Sequence, residues 1–510
     1  MDAAGGRLVC GREQLRPSES KWKLFGWVVP EAGKTMKRAF WSELFREATK
    51  AASRIAICSF VAAIGIIARP IVLHGQESAA ASPLTLQQAV AIALEKNPQR
   101  KAALADTKSA AYDVKIARSS LLPRLTFSET VLRGNDPVYV FGSKLRQQRF
   151  TSADFALNTL NTPAPFGNFS TRLSGSWTLF DSLASWRSVN RAELMKEASQ
   201  HELERTEQET EYQVIESYFG VLLAKKQVDV AEQSLKTAEA IVERSKNRYE
   251  AGVIVESDYL SAQVRFAGRK QELIRVQNNL SLARAQLSAA LGLSTSTDFA
   301  PVDELSERSL PAVKLEDLEQ QAMTSRPDLR RIRSGEAAQK QSVLIAKSSF
   351  GPRVNAIAGW EADNPTFLAG GGGNNWLAGM ELQFDLFQGG AKRAQLAREQ
   401  ATLEKVSALQ EAAKDAVRLE VRRAYYDMDT AKQQLEVARL AIADSKESLR
   451  VNQNRYDAGL STITDLLASE ETARRTQTDY WETVRRYFTG YAALELASGT
   501  LNPQSPVVTP

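Results

Sequence analysis

Few side chains in this chain are suited to catalysis or metal binding. After Ser82 the only histidine is His201, which lies in a charged stretch typical of a solvent-exposed helix face. Both cysteines, Cys10 and Cys58, precede Ser82, so no Cys/His cluster follows that could hold a metal ion. The glycines at 370–373 lack the Lys-Ser/Thr that completes a phosphate-binding loop. The sequence therefore predicts a protein that is not an enzyme and that needs no cofactor or metal.

Two acidic residues stand at matching places in the chain. Asp258 follows Arg248-Tyr-Glu-Ala-Gly252, and Asp465 follows Arg455-Tyr-Asp-Ala-Gly459. Each glycine suits the left-handed residue that ends a helix, so each aspartate would lie near the start of the next helix. Thr462 and Asp465 have the spacing of a capping box, in which side chain and backbone satisfy each other. Capping of the returning helices is therefore one explanation for both aspartates.

These matching sites belong to a tandem repeat. Residues 114–124 align with 343–353 at an offset of 229, whereas the two glycine motifs align at an offset of 207. The first copy therefore carries an insertion of 22 residues ahead of its second strand. We expect the first repeat at 82–300, the second at 301–498, and one architecture built from both.

Each copy contains a pair of segments in which apolar and polar residues alternate. Such alternation over about ten residues is typical of a transmembrane β-strand, with one face to lipid and the other to a wet lumen. A half-buried strand of a soluble sandwich would give the same pattern, so both explanations stay open. The residues that would contact lipid are Trp177, Leu179, Met380, Leu382 and Phe384.

After each strand pair the sequence predicts a helix of unusual length. Residues 184–249 contain no proline and a single glycine, and residues 391–456 contain neither. At about 1.5 Å per residue each helix would be roughly 100 Å long. Apolar residues recur at alternating spacings of three and four, as in a coiled-coil seam, so each long helix should pair with the helix that follows it. We therefore predict a mainly α fold with β, in which two β-hairpins stand on two very long antiparallel α-hairpins.

The number of strands constrains the assembly. One chain supplies four strands, which cannot close a barrel, and open sheet edges are not tolerated in hydrocarbon. If the strands lie in a membrane, several copies have to share one barrel, and their α-hairpins would continue the pore as a hollow cylinder. If the strands are soluble, the chain would instead be a periplasmic coiled-coil scaffold with no transport role.

The two ends of the chain differ from the repeats in composition. Residues 1–81 hold the excess of Lys and Arg, so the overall positive charge predicts no nucleic-acid partner. Basic residues precede an apolar stretch at 55–68 and small residues at 79–81, as in a secretory signal peptide whose true start would be Met36. A signal anchor that stays in the membrane is the alternative. Residues 499–510, rich in Pro and Thr, are expected to form a disordered tail.

The chain resembles the TolC family of outer-membrane efflux proteins over nearly all of 82–499. The resemblance rests on the order and spacing of Leu84-Thr-Leu86, Asn97-Pro98, Ala117-Arg-Ser-Ser-Leu-Leu-Pro123, Leu179-Phe-Asp181, Leu386-Phe-Gln-Gly-Gly390 and the two Arg-Tyr-x-Ala-Gly motifs. It implies a homotrimer with a shared twelve-stranded barrel in the outer membrane of a Gram-negative-type bacterium, and a helical tunnel in the periplasm. It also implies passive conduction, in tripartite efflux or type I secretion, from an inner-membrane pump and a periplasmic adaptor protein to the exterior.

The family closes its tunnel at the periplasmic tips, and the resemblance places that gate on particular residues. Tyr456 on the second hairpin would face Asp258 on the first, with Ser257 nearby. The family often has arginine where Ser461 stands, so the charged part of that contact is missing here. Asp465 matches an acidic ring at the narrow entrance, and rings of carboxylates favour cations.

The same tips would dock the adaptor protein. The residues expected to contact it are Gly252, Val253, Gly459 and Leu460, because glycine lets a partner helix approach closely. Simple closure of the two turns requires the same glycines and is the alternative explanation. The sequence does not indicate which substrate is conducted.

Overall fold

The computed structural model describes residues 82–297, 299–367 and 373–509. The leader at 1–81, with the predicted signal peptide and the start at Met36, lies outside the described residues. Within the described ranges, no helix combines the length and the apolar character needed to cross a membrane.

The first repeat runs from a short strand and two helices, through two strands of a sheet, into a long helical hairpin. Its elements are β1 (Ser82–Leu84), α1 (Leu86–Lys96), α2 (Pro98–Ser119), β2 (Arg124–Gly134), α3 (Pro137–Arg146), a 3-10 helix (Ser152–Phe155), α4 (Leu157–Asn161), β3 (Phe166–Phe180), α5 (Ala184–Glu250) and α6 (Glu256–Ala290). The insertion predicted from the repeat offsets accounts for the extra elements between β2 and β3, namely α3, the 3-10 helix and α4.

The described residues of the second repeat follow the same order without the extra helices. Its elements are β4 (Phe299–Pro301), α7 (Leu315–Ser325), α8 (Pro327–Ser348), β5 (Arg353–Asn364), β6 (Gly373–Gln383), α9 (Ala391–Asp457) and α10 (Ile463–Ser498). Strand β4 crosses the repeat boundary predicted at residue 300, and it pairs in parallel with β1. The predicted fold class, mainly α with β-hairpins on long α-hairpins, is confirmed.

Strands β2, β3, β5 and β6 form one antiparallel sheet in that order, so hairpins from both repeats join side by side. Phe127 of β2 lies opposite Leu173 of β3, Leu173 lies opposite Trp360 of β5, and Trp360 lies opposite Trp376 of β6. This register places large apolar residues in one row across the sheet. The outer strands, β2 and β6, have no further strand beside them among the described residues.

The longest elements are α5 and α9, each of 67 residues. Each packs against the returning helix of its own repeat, α6 or α10, as the heptad spacing predicts. Seam residues of both long helices, including Val221, Ala231, Met428 and Leu435, are buried. The burial of these stripes, more than helix propensity, stabilises helices of such length.

Each long helix begins after a bend of two consecutive left-handed residues. Ahead of α5 these are Ser182 and Leu183, with φ of 56° and 70°. Ahead of α9 they are Gly389 and Gly390, with φ of 57° and 82°. The two pairs occupy equivalent positions in the repeats. Glycine adopts this conformation freely, whereas leucine is strained in it by about 1–2 kcal/mol.

Each α-hairpin is also tied at its end to the helix break in the same repeat. The side chain of Asn97, between α1 and α2, donates to the carbonyl of Ala290 at 3.1 Å. At the equivalent position between α7 and α8, the guanidinium of Arg326 donates to the carbonyl of Ala497 at 2.9 Å. Two different side chains therefore make the same connection.

The main core gathers around these connections, and the segment expected to be a disordered tail belongs to it. Leu501, Val507 and Val508 are buried in the same cluster as Leu84. The Arg308 side chain donates to the carbonyl of Val507 at 2.6 Å. The prediction of disorder is wrong because it followed the Pro- and Thr-rich composition, whereas a few well-spaced apolar residues are enough to anchor the segment.

Candidate functional site

The two α-hairpins turn through the same backbone geometry at their tips. Gly252 and Gly459 have φ of 70° and 73°, so the predicted left-handed helix ends are confirmed. The residues after them, Val253 and Leu460, are 62% and 71% exposed. All four residues predicted to dock the adaptor therefore lie on the free end of the hairpins.

The second tip uses Asp465 as a helix cap. Its carboxylate accepts from Thr462 Oγ1 at 2.7 Å, from Thr462 N at 3.1 Å and from Ser461 Oγ at 3.2 Å. These hydrogen bonds lower the pKa of Asp465, so its carboxylate stays ionised. The predicted capping box is confirmed at this tip.

The first tip lacks such a cap. The residue before α6 is Val255, which offers no side-chain hydrogen bond. Asp258 is half-buried and makes no side-chain hydrogen bond among the described residues, and Ser257 is exposed. The capping explanation therefore holds for Asp465 and not for Asp258.

Tyr456 lies between the hairpins, but its partners differ from the one predicted. It is 2% exposed, and its hydroxyl lies 3.2 Å from Ser245 Oγ. The guanidinium of Arg248 lies 4.8 Å from the ring centroid and donates to the Tyr456 carbonyl. Among the described residues no hydrogen bond joins Tyr456 to Asp258. Within one chain α5 therefore supplies the contact through residues upstream of the tip.

The positive charge that Ser461 cannot provide comes from the first hairpin. Arg244 forms an ion pair with Asp457 at 3.2 Å, beside the Arg248 contact with Tyr456. Both arginines were missed in the sequence because the resemblance directed attention to the second hairpin. The side chains are polar residues of the last turns of α5, which face the last turn of α9.

A second contact missed in the sequence joins the returning helices farther from the tips. Arg269 of α6 donates to Glu470 and Glu471 of α10, and Ser234 of α5 donates to Glu470. Arg269 and Glu470 are buried. Hydrogen bonds from Arg474 and, to a smaller extent, from Arg269 lower the pKa of Glu471 to about 2. One sequence signal existed, because Arg269 occupies the same heptad position as the seam residue Val276.

The sheet has one apolar and one polar face. On the apolar face Trp177 lies opposite Ala356, which lies opposite Met380. Met380 and Leu382 are 76% and 71% exposed, and Trp177 is half-exposed. Large side chains therefore cover a surface that no described part of the chain buries.

A β-bulge interrupts the alternation at one residue predicted to share this face. The register of β3 against β5 shifts before Phe180, so Phe180, rather than Leu179, lies opposite Val354. Among the described residues the bulge leaves Leu179 without a cross-strand partner, and simple alternation does not anticipate such a bulge. Phe384 is exposed but lies just beyond the end of β6.

On the opposite face most cross-strand pairs are polar, although Leu132, Ile357 and Leu377 also lie there. Arg172 lies opposite Glu361, and the two form an ion pair at 3.0 Å. Ser170 donates to the same carboxylate at 2.7 Å. An apolar face and a polar face on one sheet are what a strand between lipid and water requires.

Comparison with known proteins decides between a channel and a scaffold. The outer membrane efflux protein family matches residues 89–293 and 318–500. The chain belongs to the outer membrane efflux protein family. It is 24% identical to nodulation protein T of Rhizobium leguminosarum bv. trifolii, over 77% of this chain and 80% of that protein. It is 22% identical to the alkaline protease secretion protein AprF of Pseudomonas aeruginosa, over 81% of this chain and 83% of that protein.

Solved structures agree on the fold. The outer membrane channel CmeC of Campylobacter jejuni superimposes with a TM-score of 0.70 at 16% identity, over 83% of this chain and 87% of that channel. The predicted TolC-family membership is confirmed. This efflux protein is thus a passive channel of the outer membrane and not an enzyme, and the scaffold alternative is rejected. Within the described ranges no three His, Cys, Asp or Glu side chains gather as a metal site.

Proposed function

We propose that this efflux protein is the outer-membrane component of a tripartite efflux or type I secretion system. Three copies would close one twelve-stranded barrel and pass substrates from an inner-membrane pump, through a periplasmic adaptor protein, to the exterior. The observation that carries the proposal is the four-stranded sheet with two unpaired edges, β2 and β6. Such edges cannot stay open in hydrocarbon, so neighbouring copies have to pair with them.

The apolar sheet face supports the same arrangement. Trp177, Met380 and Leu382 would contact lipid, with Leu179 and Phe384 near the end of the strands that adjoins the helices. The polar face, with Arg172 and Glu361, would then line the water-filled lumen.

Exposed apolar residues on the long helices support contacts between copies. Along α9, Leu419, Tyr426, Val437 and Leu440 lie on one side and are all more than half exposed. A stripe of this kind on a helix normally packs against another helix. We propose that it packs against a hairpin of the neighbouring copy, which would surround a tunnel with helices.

We propose that the tips combine adaptor docking with a gate. Val253 and Leu460 offer exposed apolar contacts, and Gly252 and Gly459 leave room for a partner backbone. The gate would hold the tips together through the contacts of Tyr456 with α5.

The remaining gate residues would act between copies. Ser257 and Ser461 lie at the exposed tips, and half-buried Asp258 has a free carboxylate for a neighbouring chain. Asp465, kept ionised by its cap, would form an acidic ring at the entrance that favours cations.

The assembly is tested by measuring the mass of the protein purified from outer membranes in mild detergent. Light scattering with detergent subtracted should give three chains per particle. A monomer that stays soluble without detergent would contradict the proposed barrel.

The gate is tested by conductance in planar bilayers. Tyr456→Phe removes the hydroxyl that meets Ser245, so this variant should open more often than wild type. The matched control is Tyr249→Phe, because Tyr249 is the equivalent residue of the first repeat and stacks on Tyr259 instead. Asp465→Asn should lower the preference for cations. If Tyr456→Phe and Tyr249→Phe open equally often, the hydroxyl of Tyr456 does not hold the gate closed.

A further inference from the structure

The insertion between β2 and β3 has no counterpart in the second repeat, and it folds as a compact unit. Phe150 packs edge-on against Phe141 and Phe155, with centroids 4.8 and 5.1 Å apart. Lys144 pairs with Asp154 at 2.6 Å. We refer to residues 137–161 as the cap. Its aromatic cluster and ion pair give it a defined shape rather than that of an open loop.

The cap lies on the polar face of the sheet. Arg146, at the end of α3, forms an ion pair with Glu361 at 3.3 Å, and Glu361 shares that face with its cross-strand partner Arg172. The amide of Gln147 donates to Asn168 Oδ1 at 2.7 Å, and Asn168 in turn donates to Asp363. The contacts therefore reach both central strands, β3 and β5, from one side.

The strand that follows leaves space for the cap. Gly373 begins β6 opposite Asp363, on the polar face. A Cβ atom added at Gly373 would lie 1.8 Å from the carbonyl oxygen of Arg146. Any side chain at this position would therefore collide with the backbone of the cap. The close approach is independent evidence that the cap is docked on this face and not beside the sheet.

The solvent-exposed side of the cap, together with the polar sheet face beside it, carries positive charge. Arg146 and Arg172 are more than half exposed and share one carboxylate, Glu361. Arg149 is exposed and lies over the ring of Phe166 without an acidic partner among the described residues. Asp154 and Asp363 are turned inward, so the three arginines dominate the exposed surface.

We infer that the cap projects into the lumen at the end of the barrel away from the helices, narrows the exit and favours anions over cations there. This inference rests on the proposed assignment of the polar face to the lumen. The cap covers part of the lumen-side face of β3 and β5. The guanidinium groups of Arg146 and Arg149, with Arg172 of β3 beside them, would attract anionic solutes and repel cations, as rings of Arg do in anion pores.

The charge of the cap is tested first, by reversal potentials in a KCl gradient across planar bilayers. The triple variant Arg146→Gln, Arg149→Gln, Arg172→Gln should shift the reversal potential toward that of a cation-selective pore. Arg133→Gln is the matched control, because Arg133 is an exposed arginine of neighbouring β2 that lies on the apolar face. An unchanged reversal potential in the triple variant, or an equal shift in the control, would overturn the inference.

The narrowing is tested by removing the cap. Replacing residues 137–161 with Gly-Gly should raise single-channel conductance, and Gly373→Val, which undocks the cap while keeping its sequence, should change conductance as well. Particle mass in detergent confirms that each variant assembles. Unchanged conductance in both assembled variants would contradict the proposed narrowing of the exit by the cap, while the proposed channel function would still hold. A wild-type protein that conducts no ions would instead overturn the proposed function, so the two failures are distinguishable.

Discussion

The two repeats build the same bend ahead of the long helix from different residues. They also differ in the residue that joins the helix break to the end of the α-hairpin, a connection that we call the joint. At the bend, Gly389 and Gly390 in the second repeat correspond to Ser182 and Leu183 in the first, and all four have positive φ. A left-handed pair of residues is strained unless both are glycine. The first repeat therefore adopts the same geometry with strained residues. A hydrogen bond that Ser182 Oγ donates to the Pro352 carbonyl at 2.9 Å helps to hold the bend.

The joints differ in chemistry. Asn97 both donates to the α-hairpin and accepts from Gln99 N at 2.8 Å, so it also caps α2. Arg326 cannot accept a hydrogen bond, and its buried charge is instead neutralised by Asp328 and Glu420. The comparison teaches that the fold requires a donor at this place and a turn of fixed geometry at the bend, whereas the residue type is free to change.

The largest difference between the repeats should appear at the joint. Arg326→Ala removes a buried donor and leaves Asp328 without its partner, so it should destabilise the protein by about 3 kcal/mol. Asn97→Ala loses a cap and one hydrogen bond, which amounts to about 1–2 kcal/mol. Thermal unfolding of the detergent-purified variants measures both. Equal losses would show that the charge network adds nothing to the joint.

The next largest expected effect is a pH dependence of stability, which arises from two buried carboxyl groups of the core. Burial, with Glu207 and Glu495 nearby, raises the pKa of Glu211 to about 7, and burial raises that of Glu495 to about 7. A carboxyl whose pKa is raised by folding favours the folded state when protonated, so stability should fall as pH rises from about 4.5 through 7.

Replacing Glu211 should remove its share of that pH dependence, whereas the share of Glu495 remains. Glu211→Gln should be more stable than wild type at pH 8, by about 2 kcal/mol, and nearly equal at pH 4. The matched control is Arg418→Gln, because Arg418 is the exposed equivalent in the second repeat. Melting curves from pH 4 to 8 check this. A wild-type stability that rises with pH would contradict it.

At the bend, exchanging the residues should give opposite signs. Gly390→Ala should destabilise the second repeat by about 1–2 kcal/mol, because alanine is strained at positive φ. Leu183→Gly should stabilise the first by about 0.5–1 kcal/mol, since Leu183 is half-exposed and little burial is lost. Denaturant midpoints report the sign. A loss of stability in Leu183→Gly would show that its side chain packs more than its exposure indicates.

The smallest effect concerns the tips. Thr462→Ala removes the capping box and should weaken the second tip by about 1 kcal/mol. Val255→Thr would place a hydroxyl three residues before Asp258, creating in the first tip the cap that it lacks, with a gain of a few tenths to about 1 kcal/mol. Hydrogen exchange at the starts of α6 and α10 measures both changes. Faster hydrogen exchange at the start of α6 in Val255→Thr would contradict the expected helix N-cap at this position.

The features that the sequence predicted well are periodic. The long helices were bounded to within one residue, because their heptad seams run without proline from the bend to the tip. Alternation gave the two faces of the sheet, and repeat offsets located the insertion. The bulge at Leu179 was not predicted, because a bulge leaves no mark in an alternating pattern.

Other features depended on contacts between distant segments. The pairing of Arg269 with Glu470 and the partners of Tyr456 arise from how two hairpins meet, which local spacing does not encode. The docking of the cap on the polar face required the register of all four strands. Composition alone led to the wrong prediction of disorder for residues 501–508. The buried apolar residues there, Val507 and Val508 among them, are too few to stand out among polar neighbours.

The burial of Leu84 and Val507 in one core has a consequence for the order of events in the cell. The two residues are separated by more than four hundred others, so the entire intervening chain has to be synthesised and delivered across the inner membrane before the core can close. Closing so long a loop makes this late contact slow to form. We therefore expect a late stage of maturation in which helices have formed while the core is still open, and in which the chain is most exposed to proteases.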